Sequence, residues 1–434
     1  MRSESMGEDS FSKKIDGIIR WIFCGIVLML PYSNAAVETG VVLSIILWLI
    51  KRCVMFYRDR SDSWGRRLIR NFRMPGSYLN PFIAVFLLTG LLSVLGGEMW
   101  QRSLEAFFTK TLEWFIIYFF VLEVFREKKH FYRVAACMLI TAGVTAVDAI
   151  LQYHVVGRDL LRGRGLIEGH RATAGFFHSN GLASFLVMAI PLAFSFWMAF
   201  RQSASRKKFF FPLLLGLLIW ALVLSFSRGG WLIFVLESLL FMAFYNRQWM
   251  KKMFLVFILI FIVAGALFMN SRHLGKEFRM NSSNIEATVG WRWNVWEESL
   301  EILKEHPVKG FGLNTYMAVF QKYRRHKGVQ PTYAHNCFVQ TAVETGLVGL
   351  AALLVLLGTI VVNNGKLLCT LSSLRDNPLE LIFLGLYAAV VGFIVHAAVE
   401  TNFYSLTLSA LFWILAGLLT PLARLIRQGE GAKV

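Results

Sequence analysis

Apolar runs long enough to cross a lipid bilayer recur along the whole chain, each closed off by charged or turn-forming residues. A helix needs about 17 to 25 such residues to span the hydrocarbon core while satisfying its own backbone hydrogen bonds. The runs fall at about 17–33, 36–54, 81–97, 111–125, 134–153, 181–200, 209–226, 229–245, 253–270, 336–361, 379–398 and 403–421. They predict an all-α polytopic integral membrane protein with about twelve transmembrane helices. A soluble fold is excluded by composition as well, since 56% of the 434 residues are hydrophobic and only 17% charged.

Lys13, Lys14 and Arg20 precede or enter the first run, and Ser33-Asn34-Ala35 looks loosely like a signal-peptidase site. A second run begins at once near Ala36, so the pair is expected to stay in the membrane as an uncleaved hairpin. The five cysteines are spread singly and suggest neither a disulfide framework nor metal ligation. With the N-terminus in the cytoplasm, 28 of the 45 Lys and Arg fall inside and 17 outside, the bias that sets membrane orientation. The expected organisation is nine spans over 1–270, an outer loop over 271–335, three spans over 336–421 and a cytoplasmic tail over 422–434.

Ten of the outside positives lie in that long loop, and Arg158, Arg162, Arg164 and Arg171 lie in the loop at 154–180. Two outer loops are therefore basic, either as ordinary mixed surfaces or as an anion site. With a net charge of +18, the expected partners are phospholipid head groups or a phosphorylated substrate; no nucleic-acid partner is expected. The long loop contains two amphipathic patterns. Trp293, Trp296, Leu300 and Leu303 form one stripe, with Glu297, Glu298, Glu301 and Lys304 on the other side. After the break at Pro307, Gly310 and Gly312, Met317, Phe320 and Tyr323 form a second stripe ending in Lys322, Arg324, Arg325 and Lys327. Both helices are expected at the membrane-water boundary.

The richest stretch joins this loop to the tenth run. If helix starts near His335, then Asn336, Gln340 and Glu344 make one polar stripe entering an apolar helix. A carboxylate there must face the bundle or a wet cavity, as part of a functional site or as glue between helices packed closely at Gly346 and Gly349. His335 could take a proton from a bound hydroxyl near neutral pH, or be structural. Arg228, before Gly229-Gly230, suits bidentate phosphate binding if the glycines admit a ligand, or it snorkels to head groups. Arg292 sits between Trp291 and Trp293 and has cation-π packing as its plain alternative. Asp148 with Gln152, Glu237, and His396 with Glu400 are further intramembrane polar groups, each requiring a partner. No Walker loop, dinucleotide fingerprint or zinc-spaced cluster appears, so no cofactor and no metal are expected.

The pattern resembles the O-antigen ligase superfamily, which includes O-antigen polymerases and protein O-oligosaccharyltransferases. His335-Asn336 followed by Gly346 and Gly349 fits that family's signature. Ser227-Arg228-Gly229, Arg292 with Trp296, the turn from Pro307 to Gly312 and the segment around Asn180 look like further family features. Similar proteins often carry Asp where this chain has Glu400. The resemblance implies a periplasm-facing glycosyltransferase in the bacterial inner membrane, with the long loop in the periplasm. Its donor would be a glycan on undecaprenyl diphosphate and, for a ligase, its acceptor a sugar hydroxyl of lipid A core. It further implies inverting transfer with neither metal nor nucleotide. His335 would be the general base, and Arg228 and Arg292 would bind the diphosphate. Arg171, Asn180, Asn336, Gln340, Glu344, Lys322, Arg324 and Arg325 are the candidate substrate-binding residues. A polymerase is the nearest alternative; a secondary transporter fits less well, because the polar signal gathers at the outer ends of the spans.

Overall fold

The computed structural model describes residues 10–60, 63–95, 97, 99–166, 171–201, 207–245, 285–324, 333–371 and 377–431. Among them the secondary structure is helical, with a single isolated bridge between Arg158 and Gly165. The helices are α1 (Ser10–Met29), α2 (Asn34–Arg58), α3 (Trp64–Phe72), α4 (Asn80–Leu95), α5 (Trp100–Ala106), α6 (Leu112–Val124), α7 (Lys128–Leu151) and α8 (Ser179–Phe200). There follow α9 (Lys207–Leu224), α10 (Arg228–Phe244), α11 (Ile285–Leu303), α12 (Tyr316–Tyr323), α13 (Cys337–Thr370), α14 (Pro378–His396) and α15 (Leu406–Gly431). Wide π turns extend α5 at Phe107–Thr111 and α7 at Gln152–Val156.

Eleven of the apolar runs coincide with helices, although α13 and α15 continue well past the ends of theirs, to Thr370 and Gly431; the run at 253–270 lies outside the described residues. Among the described residues, six helices are long and apolar enough to cross a membrane: α2, α7 with its π turn, α8, α13, α14 and α15. The protein is multi-pass. Helices α8, α14 and α15 are mostly covered by neighbouring helices, whereas most of α2 is not. The aromatic side chains of Phe393, Phe403, Phe412 and Trp413 stack edge to face between α14 and α15.

One cluster of charge inside the bundle is paired, whereas both carboxyl oxygens of the buried Glu237 in α10 lack a hydrogen-bond partner among the described residues. Lys51 of α2 lies between Asp16 of α1, at 2.6 Å, and Glu123 of α6, which also accepts from Arg52 at 2.7 Å and from the Trp48 indole at 2.8 Å. Three helices are thereby joined near the C-terminal end of α2, and removing one partner would strand a buried charge.

The long loop folds against α13. Helix α13 breaks at Gly346, whose φ of 70° and ψ of −179° are not helical. The turn at Pro307–Gly312 enters the gap: Leu347 N–H donates to Pro307 O at 2.7 Å, Phe311 N–H to Val343 O at 3.0 Å and Gly312 N–H to Glu344 O at 2.8 Å. A Cβ on Gly346 would lie 2.1 Å from the Val308 carbonyl oxygen, and one on Gly310 2.5 Å from the Glu344 carbonyl. Backbone meets backbone here, so neither residue tolerates a side chain.

The loop helices bury a different face from the one their pattern suggested. In α11 the buried residues are Val295, Glu298, Ser299, Ile302 and Leu303, while Trp293 and Leu300 are exposed. Glu298, expected on the water-facing side, is covered. In α12, Tyr316, Val319 and Phe320 are buried and Met317 is exposed. These side chains build a small core with Phe311 and Val343. The turn and α13 set the helix orientation, and a three-and-four pattern containing tryptophan cannot distinguish a protein-facing stripe from a lipid-facing one.

Candidate functional site

Helix α13 does not begin at His335. Asn336 is its N-cap, and its side-chain oxygen accepts from the Phe338 and Val339 N–H groups at 2.9 and 3.1 Å. The cap explains the residue, and it breaks the expected three-residue stripe at its first member. Cys337 then docks this helix end on the turn after α14, its N–H donating to Ala397 O at 2.8 Å and its Sγ lying 3.1 Å from Glu400 O. This docking brings His335 to Glu400.

His335 itself is held out of the helix with φ at 49°, a left-handed backbone uncommon for a residue with a side chain. Its neighbour is clamped on both sides. The Trp296 indole donates to Ala334 O at 2.8 Å, and Ala334 N–H donates to Gln340 Oε1 at 3.3 Å. Trp291 packs edge-on against the imidazole with ring centroids 5.4 Å apart. A strained conformation fixed by several neighbours is characteristic of working sites.

The imidazole Nδ1 lies 3.4 Å from Glu400 Oε2. Glu400 Oε1 accepts from Arg292 at 2.6 Å and from the Asn180 amide, and a second Arg292 nitrogen donates to Val399 O at 2.8 Å. Asn180 in turn accepts from Arg171 at 2.8 Å, and Arg171 donates to Ser225 O at 2.9 Å, beside the turn that carries Arg228. Glu400 thus gathers groups 65, 108 and 220 residues away along the chain. Burial raises its pKa, but the His335 hydrogen bond and the Arg292 charge overcome that effect and hold the carboxyl pKa below its ordinary value. The sequence pairing of Glu400 with His396 is replaced: helix α14 ends at His396, whose Nδ1 lies 3.1 Å from Ser184 Oγ.

Other candidate residues are placed as follows. Arg228 is exposed at the first turn of α10, where Ser227 caps the helix through Gly230 N–H. Gly229 and Gly230 serve packing, because a Cβ would lie 3.0 Å from His396 Nε2 at the first and 2.9 Å from Ala183 Cβ at the second. Gln340 and Glu344 are buried. Glu344 accepts from Asn314 N–H at 3.0 Å, Gln340 at 3.2 Å and the Tyr404 hydroxyl at 3.2 Å, so it ties the loop and the turn after α14 to α13. Gln152 and Asp148 find partners in the 154–180 loop: the Gln152 amide oxygen accepts from Thr173 and Ala174 N–H, and Asp148 accepts from Leu160 N–H. Lys322 is exposed and Arg324 half-buried, and neither lines the cavity described next; Arg325 and Lys327 lie outside the described residues.

His335, Asn180, Glu344 and Glu400 line a cavity of about 710 Å³ that also reaches Glu38, Lys110, Trp114 and Asn314. Its size suits a small-molecule or sugar ligand. Behind its His335 wall, Arg292 and Arg171 stand in the hydrogen-bond network of one carboxylate, Glu400, and Arg228 follows in the turn whose Ser225 carbonyl accepts from Arg171; the guanidinium that lines the cavity itself is Arg162. Planar donor forks of this kind suit a phosphate.

Residues 213–354 match the family described as O-antigen ligase. This match supports a relationship to the O-antigen ligase superfamily over that segment. The matched segment runs from α9 to the middle of α13 and contains Arg228, Arg292 and His335. An uncharacterized protein of Haemophilus influenzae is 27% identical over 152 residues, which cover 31% of this chain and 38% of that protein. The ComP-specific O-oligosaccharyltransferase of Acinetobacter baylyi is 25% identical over 242 residues, covering 54% of this chain and 41% of the relative. The chain thus spans about two-fifths of the length of these curated relatives. Sequence alone had not settled the part played by Glu400. Its partners become adjacent only after folding, so no local spacing marks it.

Proposed function

We propose that this chain is a glycosyltransferase of the O-antigen ligase type, transferring a glycan from undecaprenyl diphosphate to a sugar hydroxyl of lipid A core. It works at the periplasmic face of the bacterial inner membrane, with about twelve spans, the 271–335 loop outside and both termini in the cytoplasm. The observation that carries this reading is the Glu400 network, in which one carboxylate orients an imidazole at the cavity wall and anchors a guanidinium beside it.

With Nδ1–H donated to Glu400, the other imidazole nitrogen, Nε2, is the basic one. It takes the proton of the acceptor hydroxyl as that oxygen bonds to the anomeric carbon. The bond from that carbon to the phosphate oxygen breaks on the opposite face, and its electron pair leaves with the diphosphate. Arg292 and Arg228 neutralise the departing charge, and Arg171 holds Asn180 in place to support Glu400. A diphosphate already leaves readily, so fixed positive charge and alignment serve it better than an acid. The exposed Lys322 and the half-buried Arg324 steer an anionic acceptor towards the cavity without contacting the reacting sugar. Asn336, Gln340 and Glu344 act in this scheme through the position of His335.

The relative from Acinetobacter baylyi is named for transfer to ComP, so a protein acceptor is the competing reading; a polymerase is another. Purified protein supplied with undecaprenyl-diphosphate glycan, with and without lipid A core, distinguishes them on a gel. Ligation requires core-dependent attachment without chain growth, and His335→Ala should lower it by about a hundredfold to ten-thousandfold while the protein stays folded. Chain growth from the donor alone would identify a polymerase.

A further inference from the structure

The cavity has a second wall that the chemistry at His335 leaves unused. It is formed by Glu38 of α2, Lys110 and Thr111 of the π turn, Trp114 of α6 and Asn314 of the loop. We propose that this wall is the acceptor subsite, binding the sugar whose hydroxyl is presented to His335. This proposal deepens the functional reading above and rests on it.

Three observations converge. First, the residue types suit a carbohydrate: a carboxylate, an amide, a hydroxyl and an ammonium group offer acceptors and donors to sugar hydroxyls, and an indole offers an apolar plane to the C–H face of a ring. Second, the backbone departs from regular geometry where it supplies them. Lys110 and Thr111 sit in a π-helical turn, a local widening that often occurs at functional positions, and Asn314 has φ at 56°. Third, the wall is joined to the base. Lys110 Nζ donates to Asn314 Oδ1 at 3.2 Å, Asn314 N–H to Glu344 Oε2 at 3.0 Å, Gln340 to Glu344 Oε1 at 3.2 Å, and Ala334 N–H to Gln340 Oε1 at 3.3 Å. Four hydrogen bonds therefore connect Lys110 to the residue before His335. They keep the sugar-binding wall and the imidazole in register, as alignment of an acceptor hydroxyl demands.

The placement separates the two substrates. The diphosphate belongs with Arg292 and Arg228 behind Glu400, and the acceptor with Glu38, Lys110 and Trp114, whose elements lie outside the 213–354 family match. Apart from Asn314, acceptor choice is thus assigned to the first third of the chain, and charge handling to the matched segment. Lys110 further favours an acceptor sugar that bears a phosphate or carboxylate.

The test uses the full-length protein in detergent. Binding of delipidated lipid A core oligosaccharide is measured by calorimetry without donor, and transfer kinetics are then measured with undecaprenyl-diphosphate glycan. Lys110→Met and Glu38→Gln should each weaken oligosaccharide binding by about tenfold or more, the loss expected when a charged hydrogen-bonding group is removed. The acceptor KM should rise by a similar factor and the donor KM stay unchanged. Unchanged oligosaccharide affinity in both variants, or a rise in donor KM alone, overturns the assignment. So does binding of a ComP peptide in place of the oligosaccharide. If wild-type protein binds oligosaccharide in a Lys110-dependent way and yet transfers nothing, the subsite stands and the ligase reading fails.

Discussion

Glu400→Gln is the most informative single change, because it alters charge at the centre of the site while nearly preserving shape. The carboxylate accepts from Arg292 at 2.6 Å, from the Asn180 amide and, at 3.4 Å, from His335. A glutamine amide offers one oxygen, and its NH₂ group would face a donor. The side chains of Glu400 and Arg292 are 12% and 23% exposed, so water compensates the lost ion pair only in part. Losing one charge-assisted hydrogen bond in that setting costs about 2 kcal/mol of stability. Activity should suffer more, falling by about a hundredfold or more, since both imidazole orientation and the adjoining cation depend on the carboxylate. Glu400→Asp should retain more activity than Glu400→Gln because it keeps the charge.

A pH series separates these effects. The folded-state carboxyl titrates below its unfolded value of about 4.5, so its stabilisation is fully present above that value and is lost as pH falls through the folded one. Wild-type Tm in detergent should therefore drop more steeply than that of Glu400→Gln in the acid range below about 4.5, while the variant is less stable at neutral pH. Folded Glu400→Gln protein with wild-type kcat, or with the same acid dependence of Tm, would refute the hub role of this residue.

Arg292→Lys keeps a positive charge but cannot hold Val399 O and Glu400 together, so transfer should fall by about tenfold or more with a raised donor KM; unchanged kinetics would remove Arg292 from diphosphate binding. Gly346→Ala places a Cβ 2.1 Å from the Val308 oxygen at a φ of 70°. It should cost about 3 kcal/mol or more and sharply lower the yield of monodisperse protein in detergent, against a wild-type yield if the break in α13 were dispensable. A single cysteine at Glu305 should react with an impermeant maleimide once the outer membrane alone is opened. Reaction only after the inner membrane is permeabilised would invert the topology.

What the sequence alone determined was local. An apolar run of spanning length must become a helix, because lipid offers its backbone no other partners, and α2, α8, α10 and α14 lie within a few residues of where the runs put them. The spacing of His335, Gly346 and Gly349 marked the family, and the left-handed backbone at Gly346 supplies a physical reason for glycine there. Folding alone decided which faces of α11 are covered, that Asn336 caps a helix, and that Glu400 sits between His335, Arg292 and Asn180. Those outcomes depend on the turn at Pro307–Gly312 entering the break in α13 and on Cys337 docking against the turn after α14. Such contacts arise from packing between distant segments, and a period of three and four residues holds no record of which neighbour a face will meet.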